Sequence, residues 1–316
     1  MHSFAGRDLV TMLDIERADI ETVLDVAEEM ERIVRGRKRT DLLADKILAT
    51  LFYQSSTRTR LSFESAMLRL GGGVLGIADP KTSRAGGFYQ ESLHDTIRMV
   101  ECYADVIAIR HPKDGAPAEA AEAAWIPVIN AGDGYNEHPT QTLTDLFTIR
   151  REKGRIDGLT FAMVSDMNMR ALHSLPVALA QFNPKIYFIS PPDKSMPERW
   201  KMEFDRLALD YEERTSIDEV IQEVDVFYLH AVITPSYSVG YADVVPEKEQ
   251  TPPEFVFTLE KLKRAKRGAI VLHPLNRTDE LPPEIDRTGA ARYFNQASYG
   301  VAVRMAVLSL LLGRAP

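Results

Sequence analysis

Short apolar runs rich in β-branched residues alternate with stretches of helical spacing over nearly the whole chain. Residues 47–53, 106–110, 126–130, 159–164, 185–190, 224–229 and 268–272 read as buried strands. Residues 19–35, 61–70 and 139–151 carry apolar positions at the spacing of helices that bury one face. This alternation predicts α/β architecture with parallel sheets, because parallel strands need a crossover between them. A polar run, 150–158, divides the chain near its middle and is the expected domain boundary. The length, 316 residues, suits two domains of ordinary size.

Polar residues gather where the predicted strands end, at 56–60, 110–112, 133–141, 165–170, 230 and 273–277. Open parallel sheets bind ligands beyond those ends. The most telling cluster is Ser56-Thr57-Arg58-Thr59-Arg60, set where the first strand hands over to a helix. A helix start offers unpaired N–H groups and the positive end of a dipole. Hydroxyls add donors, and guanidinium adds a planar fork matched to phosphate oxygens. The segment therefore reads as a phosphate cradle without a Gly-rich loop. A nucleoside-triphosphate loop of the Gly-Lys-Ser/Thr type is missing from the sequence.

Composition narrows the picture further. Lysine and arginine number 38 against 46 acidic residues, a net charge of −8, which argues against nucleic acid as a partner. Cys102 is the only cysteine, so no disulfide framework or cysteine zinc site is expected. No apolar stretch nears the roughly 20 residues of a membrane span. The first residues lack a signal-peptide core, and a cytosolic location with no membrane partner is expected.

Residues 52–64, Phe-Tyr-Gln-Ser-Ser-Thr-Arg-Thr-Arg-Leu-Ser-Phe-Glu, resemble the carbamoyl-phosphate motif of the aspartate/ornithine transcarbamoylases. Ile109-Arg110-His111-Pro112 is similar to the next motif of that family. Residues 130–143, with His138-Pro139-Thr140-Gln141, resemble its His-Pro-Thr-Gln motif in the aspartate form. Residues 273–280, beginning His273-Pro274-Leu275-Asn276-Arg277, resemble its His-Pro-Leu-Pro-Arg segment. The likeness runs nearly end to end and in order, and the cysteine-containing loop of the ornithine branch is missing near His273.

The resemblance implies two doubly wound parallel-sheet domains joined by crossing helices. Residues 1–150, with a last helix in 298–316, would bind carbamoyl phosphate, and 151–297 would bind the amino-acid acceptor. It implies Ser56, Thr57, Arg58 and Thr59 on the phosphate, and Arg110 bridging phosphate and carbonyl oxygen. Thr59, Arg110 and His138 form the implied catalytic set, with His138 donating to the carbonyl oxygen. Gln141 would orient the carbamoyl NH2, Arg170 would hold the acceptor's α-carboxylate, and the Leu275 carbonyl would face its amine. The chemistry calls for no covalent nucleophile, metal or cofactor; it needs positioning and charge stabilisation. The family forms trimers with sites at subunit interfaces, so a homotrimer or a larger assembly, with other pyrimidine-pathway chains as candidate partners, is implied.

Departures from the pattern concentrate on the acceptor side. The family's mobile-loop lysine aligns with Tyr89 and its neighbour with Phe88, leaving Arg84 or Lys81 as candidate substitutes. Ala231 stands where the aspartate branch has an arginine for the side-chain carboxylate, a change expected to weaken aspartate binding. Gln54 replaces a glutamate, and Ser165 replaces a glycine in a segment one residue short. Asn276 replaces the proline of a cis bond; a non-prolyl cis bond costs about 3–4 kcal/mol, so trans is expected. Three readings follow: transfer to an acceptor other than aspartate, with His230, Tyr89 and the Tyr237 region shaping the pocket; transfer to aspartate with compensating groups; or a non-catalytic homologue that keeps the anion site and acts as an assembly or regulatory partner.

Overall fold

A computed structural model describes residues 4–79, 83–85, 91–232 and 250–315. They form two compact units, one of Met1–Phe147 with Ala297–Pro316 and one of Thr148–Gln296. In the first unit, α1 (Arg17–Arg35) precedes β1 (Ile47–Phe52), α2 (Thr57–Arg69), β2 (Gly73–Ile77) and α3 (Leu93–Val100). Then come β3 (Val106–His111), α4 (Ala116–Ala123), β4 (Val128–Asp133) and α5 (Pro139–Lys153). The four strands are parallel in the order β2-β1-β3-β4. The N-terminal segment adds a parallel bridge at Leu9 alongside Ile129, covering the β4 edge.

The second unit runs β5 (Thr160–Val164), α6 (Ala171–Leu179), β6 (Lys185–Ile189), α7 (Glu198–Arg206) and β7 (Asp210–Arg214). It ends with β8 (Val226–Leu229), α8 (Leu259–Arg264), β9 (Ile270–Leu272) and α9 (Tyr293–Leu311). Its five parallel strands stand in the order β7-β6-β5-β8-β9. The chain passes between the units within α5 and again within α9. The doubly wound α/β architecture expected from the motifs is what the chain adopts.

Parallel sheets are covered on their faces, so their strands are buried along most of their length. Every residue of β4 and β8 is buried, as are all but the first of β1 and β5. Helix α1 buries Ile20, Val23, Leu24, Ala27 and Met30, the three-to-four spacing of one face. Among the described residues no helix is long and apolar enough to cross a membrane.

Strand β2 lies so close to β1 that Gly76 leaves no room for a side chain. A methyl there would overlap the hydroxyl and carbonyl of Thr50, its partner in register. Gly76→Ala is expected to destabilise the first unit by about 1–3 kcal/mol, read as a lowered midpoint in urea unfolding. An unchanged midpoint would show that the two strands separate without cost.

Candidate functional site

Each sheet has one point where the winding reverses and a crevice opens at the C-terminal edge. In the first sheet that point lies between β1 and β3. Helix α2 starts there with Ser56 as its N-cap, at φ −158 and ψ 109, and the Ser56 side chain makes no capping hydrogen bond. Ser92 behaves in the ordinary way at α3, its hydroxyl accepting from the Asp95 N–H at 3.0 Å. The start of α2 thus presents its N–H groups without a side-chain cap, as an anion site requires. Thr57 and Arg58 are exposed beside it and Thr59 is buried. Arg60 lies along the helix, its Nε 2.7 Å from Glu64 Oε1.

Across the crevice, Arg110 stands in register with Phe52, and one of its terminal nitrogens donates to the Ala131 carbonyl at 3.2 Å. His138, after β4, is buried with its Nε2 3.5 Å from Thr59 Oγ1. The structure therefore places Ser56 to Thr59, Arg110 and His138 at the ends of β1, β3 and β4.

Buried carboxylates hold that arrangement. Asp133 accepts from the Asn130 side-chain amide at 2.9 Å, the Glu137 N–H at 3.1 Å and the Gly115 N–H at 2.7 Å. Glu137 accepts from the Met12 N–H at 3.0 Å and the Thr11 hydroxyl. Gly134, at φ +39, packs so tightly that a Cβ would meet the Asp114 carboxylate and the Pro112 carbonyl. Pro139 then starts α5, and the His138 carbonyl accepts from the N–H groups of Gln141 and Thr142 at 3.0 and 3.1 Å. Gln141 Nε2 donates to Asp145 at 2.7 Å. Asp145 also acts on buried Arg304 of α9, whose pKa burial lowers to about 10 while that carboxylate opposes the fall. Arg304 lies over the Phe63 ring at 5.1 Å.

The second sheet reverses between β5 and β8. The Ser165 hydroxyl donates to the Asp166 carbonyl at 2.9 Å and to the Ala231 carbonyl at 3.4 Å, joining the two strand ends. Asp166 accepts from the Asn168 N–H at 3.0 Å, and His173 Nε2 donates to the Met167 carbonyl at 2.8 Å while stacking on Trp200. These bonds fix the turn that leads to Arg170, buried at the start of α6.

His230, the residue after β8, stacks on His273 with centroids 5.9 Å apart and planes 11° from parallel. Burial first, then the neighbouring His273, pushes the His230 pKa down to about 3, so the imidazole is neutral at physiological pH. His273 Nε2 donates to Glu280 at 2.9 Å and its Nδ1 accepts from the Leu275 N–H at 2.8 Å, which sets its tautomer. Burial alone would raise the Glu280 pKa, but the hydrogen bonds from His273 and Thr278 outweigh it and hold the group at about 2.

The expected trans bond is corrected here: Leu275–Asn276 is cis, with Leu275 at φ +56. The turn is tied on both sides without a proline, by the Leu275 N–H on His273 and by the Thr278 N–H on Glu280 at 2.8 Å. Of the candidate loop groups, Arg84 is exposed and its carbonyl accepts from the Glu91 N–H at 3.3 Å. Lys81, Phe88, Tyr89 and Tyr237 lie outside the described residues. Sequence reading assigned no role to Asp133, Glu137, Asp145 or Glu280; the signal for the first two was an acid on each side of a Gly-rich turn before a proline-started helix.

The model of the aspartate/ornithine carbamoyltransferase carbamoyl-P binding domain matches residues 7–151, and that of the Asp/Orn binding domain matches 157–311. The chain is 46% identical to the aspartate carbamoyltransferase catalytic subunit of Methanopyrus kandleri, over 99% of each chain. It is 43% identical to the subunit of the same name from Clostridium acetobutylicum, over 98% of each. The aspartate transcarbamoylase of Trypanosoma cruzi, solved with carbamoyl phosphate and aspartate, is 33% identical with a TM-score of 0.85, covering 98% of this chain and 97% of that one. With both halves of the sequence matched and the motifs in place at the strand ends, the chain belongs to the aspartate/ornithine carbamoyltransferase family.

Proposed function

We propose that this chain transfers the carbamoyl group of carbamoyl phosphate to the amine of an amino-acid acceptor, and that its first unit binds the donor and its second the acceptor. The observation that carries the reading is the convergence at the β1/β3 reversal: a helix start without a side-chain cap, Arg110 across from it, and Thr59 3.5 Å from His138. Relatives named as aspartate carbamoyltransferases over their full length support catalysis rather than a non-catalytic assembly role, and make aspartate the reference acceptor.

In this reading the N–H groups at the start of α2, with Ser56, Thr57, Arg58 and Thr59, hold the phosphate dianion. Arg110 spans phosphate and carbonyl oxygen, and its bond to the Ala131 carbonyl sets the plane of the guanidinium. His138 donates to the carbonyl oxygen as negative charge grows there. Gln141, fixed through Asp145, accepts from the carbamoyl NH2. Arg170 takes the acceptor's α-carboxylate at the start of α6. The amine nitrogen forms a bond to the carbamoyl carbon, the carbon–oxygen bond to phosphate breaks, and the departing phosphate takes up the amine proton. Nothing in the scheme requires a covalent intermediate; alignment and preorganised donors lower the barrier. The Leu275 carbonyl is assigned to the acceptor amine. By the family resemblance the working assembly is a cytosolic homotrimer, which light scattering tests as a mass three times that of the chain.

Arg58→Ala is expected to abolish phosphate and carbamoyl-phosphate binding measured by calorimetry; unchanged affinity would remove the cradle assignment. His138→Ala is expected to lower kcat by about 10²–10³-fold, or about 2.7–4 kcal/mol in the barrier, with little change in donor affinity. A matching loss of donor affinity would instead make His138 a ground-state binding group.

A further inference from the structure

The end of β8 carries two neighbours of unlike kind, His230 and buried Ala231, at the point where the second sheet reverses its winding. The His230 Nδ1 is buried and makes no hydrogen bond of good geometry among the described residues, although the Ala231 backbone lies beside the ring. A polar atom in that state lacks a partner that a bound molecule would supply. Its neighbours leave the imidazole uncharged: the ring stacks on His273, whose own nitrogens are taken by Glu280 and the Leu275 N–H. Arg170 is close enough for its charge to act on His230.

Resting on the reading that Arg170 holds the acceptor's α-carboxylate, we propose that His230 and Ala231 select an α-amino acid with an uncharged hydroxyl or amide side chain, in preference to aspartate. A second carboxylate at this strand end would meet a neutral imidazole, a methyl group and the ionised Glu280. Among the described residues, Lys194 at this strand end donates to the Val232 carbonyl at 2.7 Å and lies 3.9 Å from Asp166. A carboxylate placed among these groups loses its water without gaining a paired charge. A cationic side chain fares no better, because Glu280 is already committed to His273 and Thr278. A hydroxyl or carboxamide can instead supply the hydrogen bond that Nδ1 lacks. It can do so in either tautomer of His230, since both groups donate and accept. A site built to bond such a group discriminates strongly against partners that leave it unsatisfied.

The test is a competition of acceptors on the purified protein. Phosphate release and carbamoylated product are followed at fixed carbamoyl phosphate, with aspartate, asparagine, glutamine, serine and lysine as acceptors. The best hydroxyl or amide acceptor is expected to exceed aspartate at least tenfold in kcat/KM. Ala231→Arg is expected to shift that ratio at least tenfold toward aspartate. His230→Ala is expected to narrow it, mainly by raising KM for the neutral acceptor, with His230→Gln restoring part of the loss. Aspartate as the best acceptor of the unaltered protein overturns the inference and leaves carbamoyl transfer intact. Donor binding seen by calorimetry with no amine stimulating release overturns the transfer reading, and the inference with it.

Discussion

A parallel strand cannot turn straight into its neighbour; the chain must cross over and come back, and this constraint places everything else. Each crossover helix begins at the C-terminal edge of its sheet, so the N–H groups of helix starts collect along one edge. Where the winding reverses, two such connections diverge and leave a crevice between adjacent strand ends. The first sheet spends its crevice on the start of α2 and on Arg110; the second spends it on Arg170 and His230. The chemistry is a consequence of winding direction before any particular side chain is considered.

The loops that reach these crevices are short on apolar anchors and are fixed by buried acids instead. Asp133 gathers donors from three points along the chain, Asp145 sets the Gln141 amide, and Glu280 sets the His273 tautomer. A carboxylate accepting several hydrogen bonds in a low dielectric is costly to misplace, so each acts as a geometric pin. This explains how polar loops with several glycines hold His138 and Leu275 in defined positions.

The strand ends were legible in the sequence because buried strands are largely apolar, and the start of α2 because it follows one directly. Strands β2 and β7 were not. Both are sheet edges and only partly buried: Gly73-Val74-Leu75-Gly76-Ile77 is interrupted by glycine, and Asp210-Tyr211-Glu212-Glu213-Arg214 is mostly charged. Arg60, two residues after Arg58 in the same cluster, is paired with the i,i+4 carboxylate of Glu64. The cis bond at Leu275 was not legible either, since its supports, His273 and Glu280, act through a turn that local propensity does not describe.

Helix α9 returns the chain's last segment to the unit formed by its first residues. The Gly6 N–H donates to the Leu311 carbonyl at 2.9 Å, Arg304 covers Phe63, and Tyr299 meets Phe147 edge-on. During synthesis the first unit emerges from the ribosome early but lacks this helix until residues 297–311 have been made. The second unit has all its strands before then and is free to fold first, inside an unfinished host. The order of completion along this chain is therefore the reverse of its order of sequence: the first unit waits, partly open, for a helix made after the strands of the second.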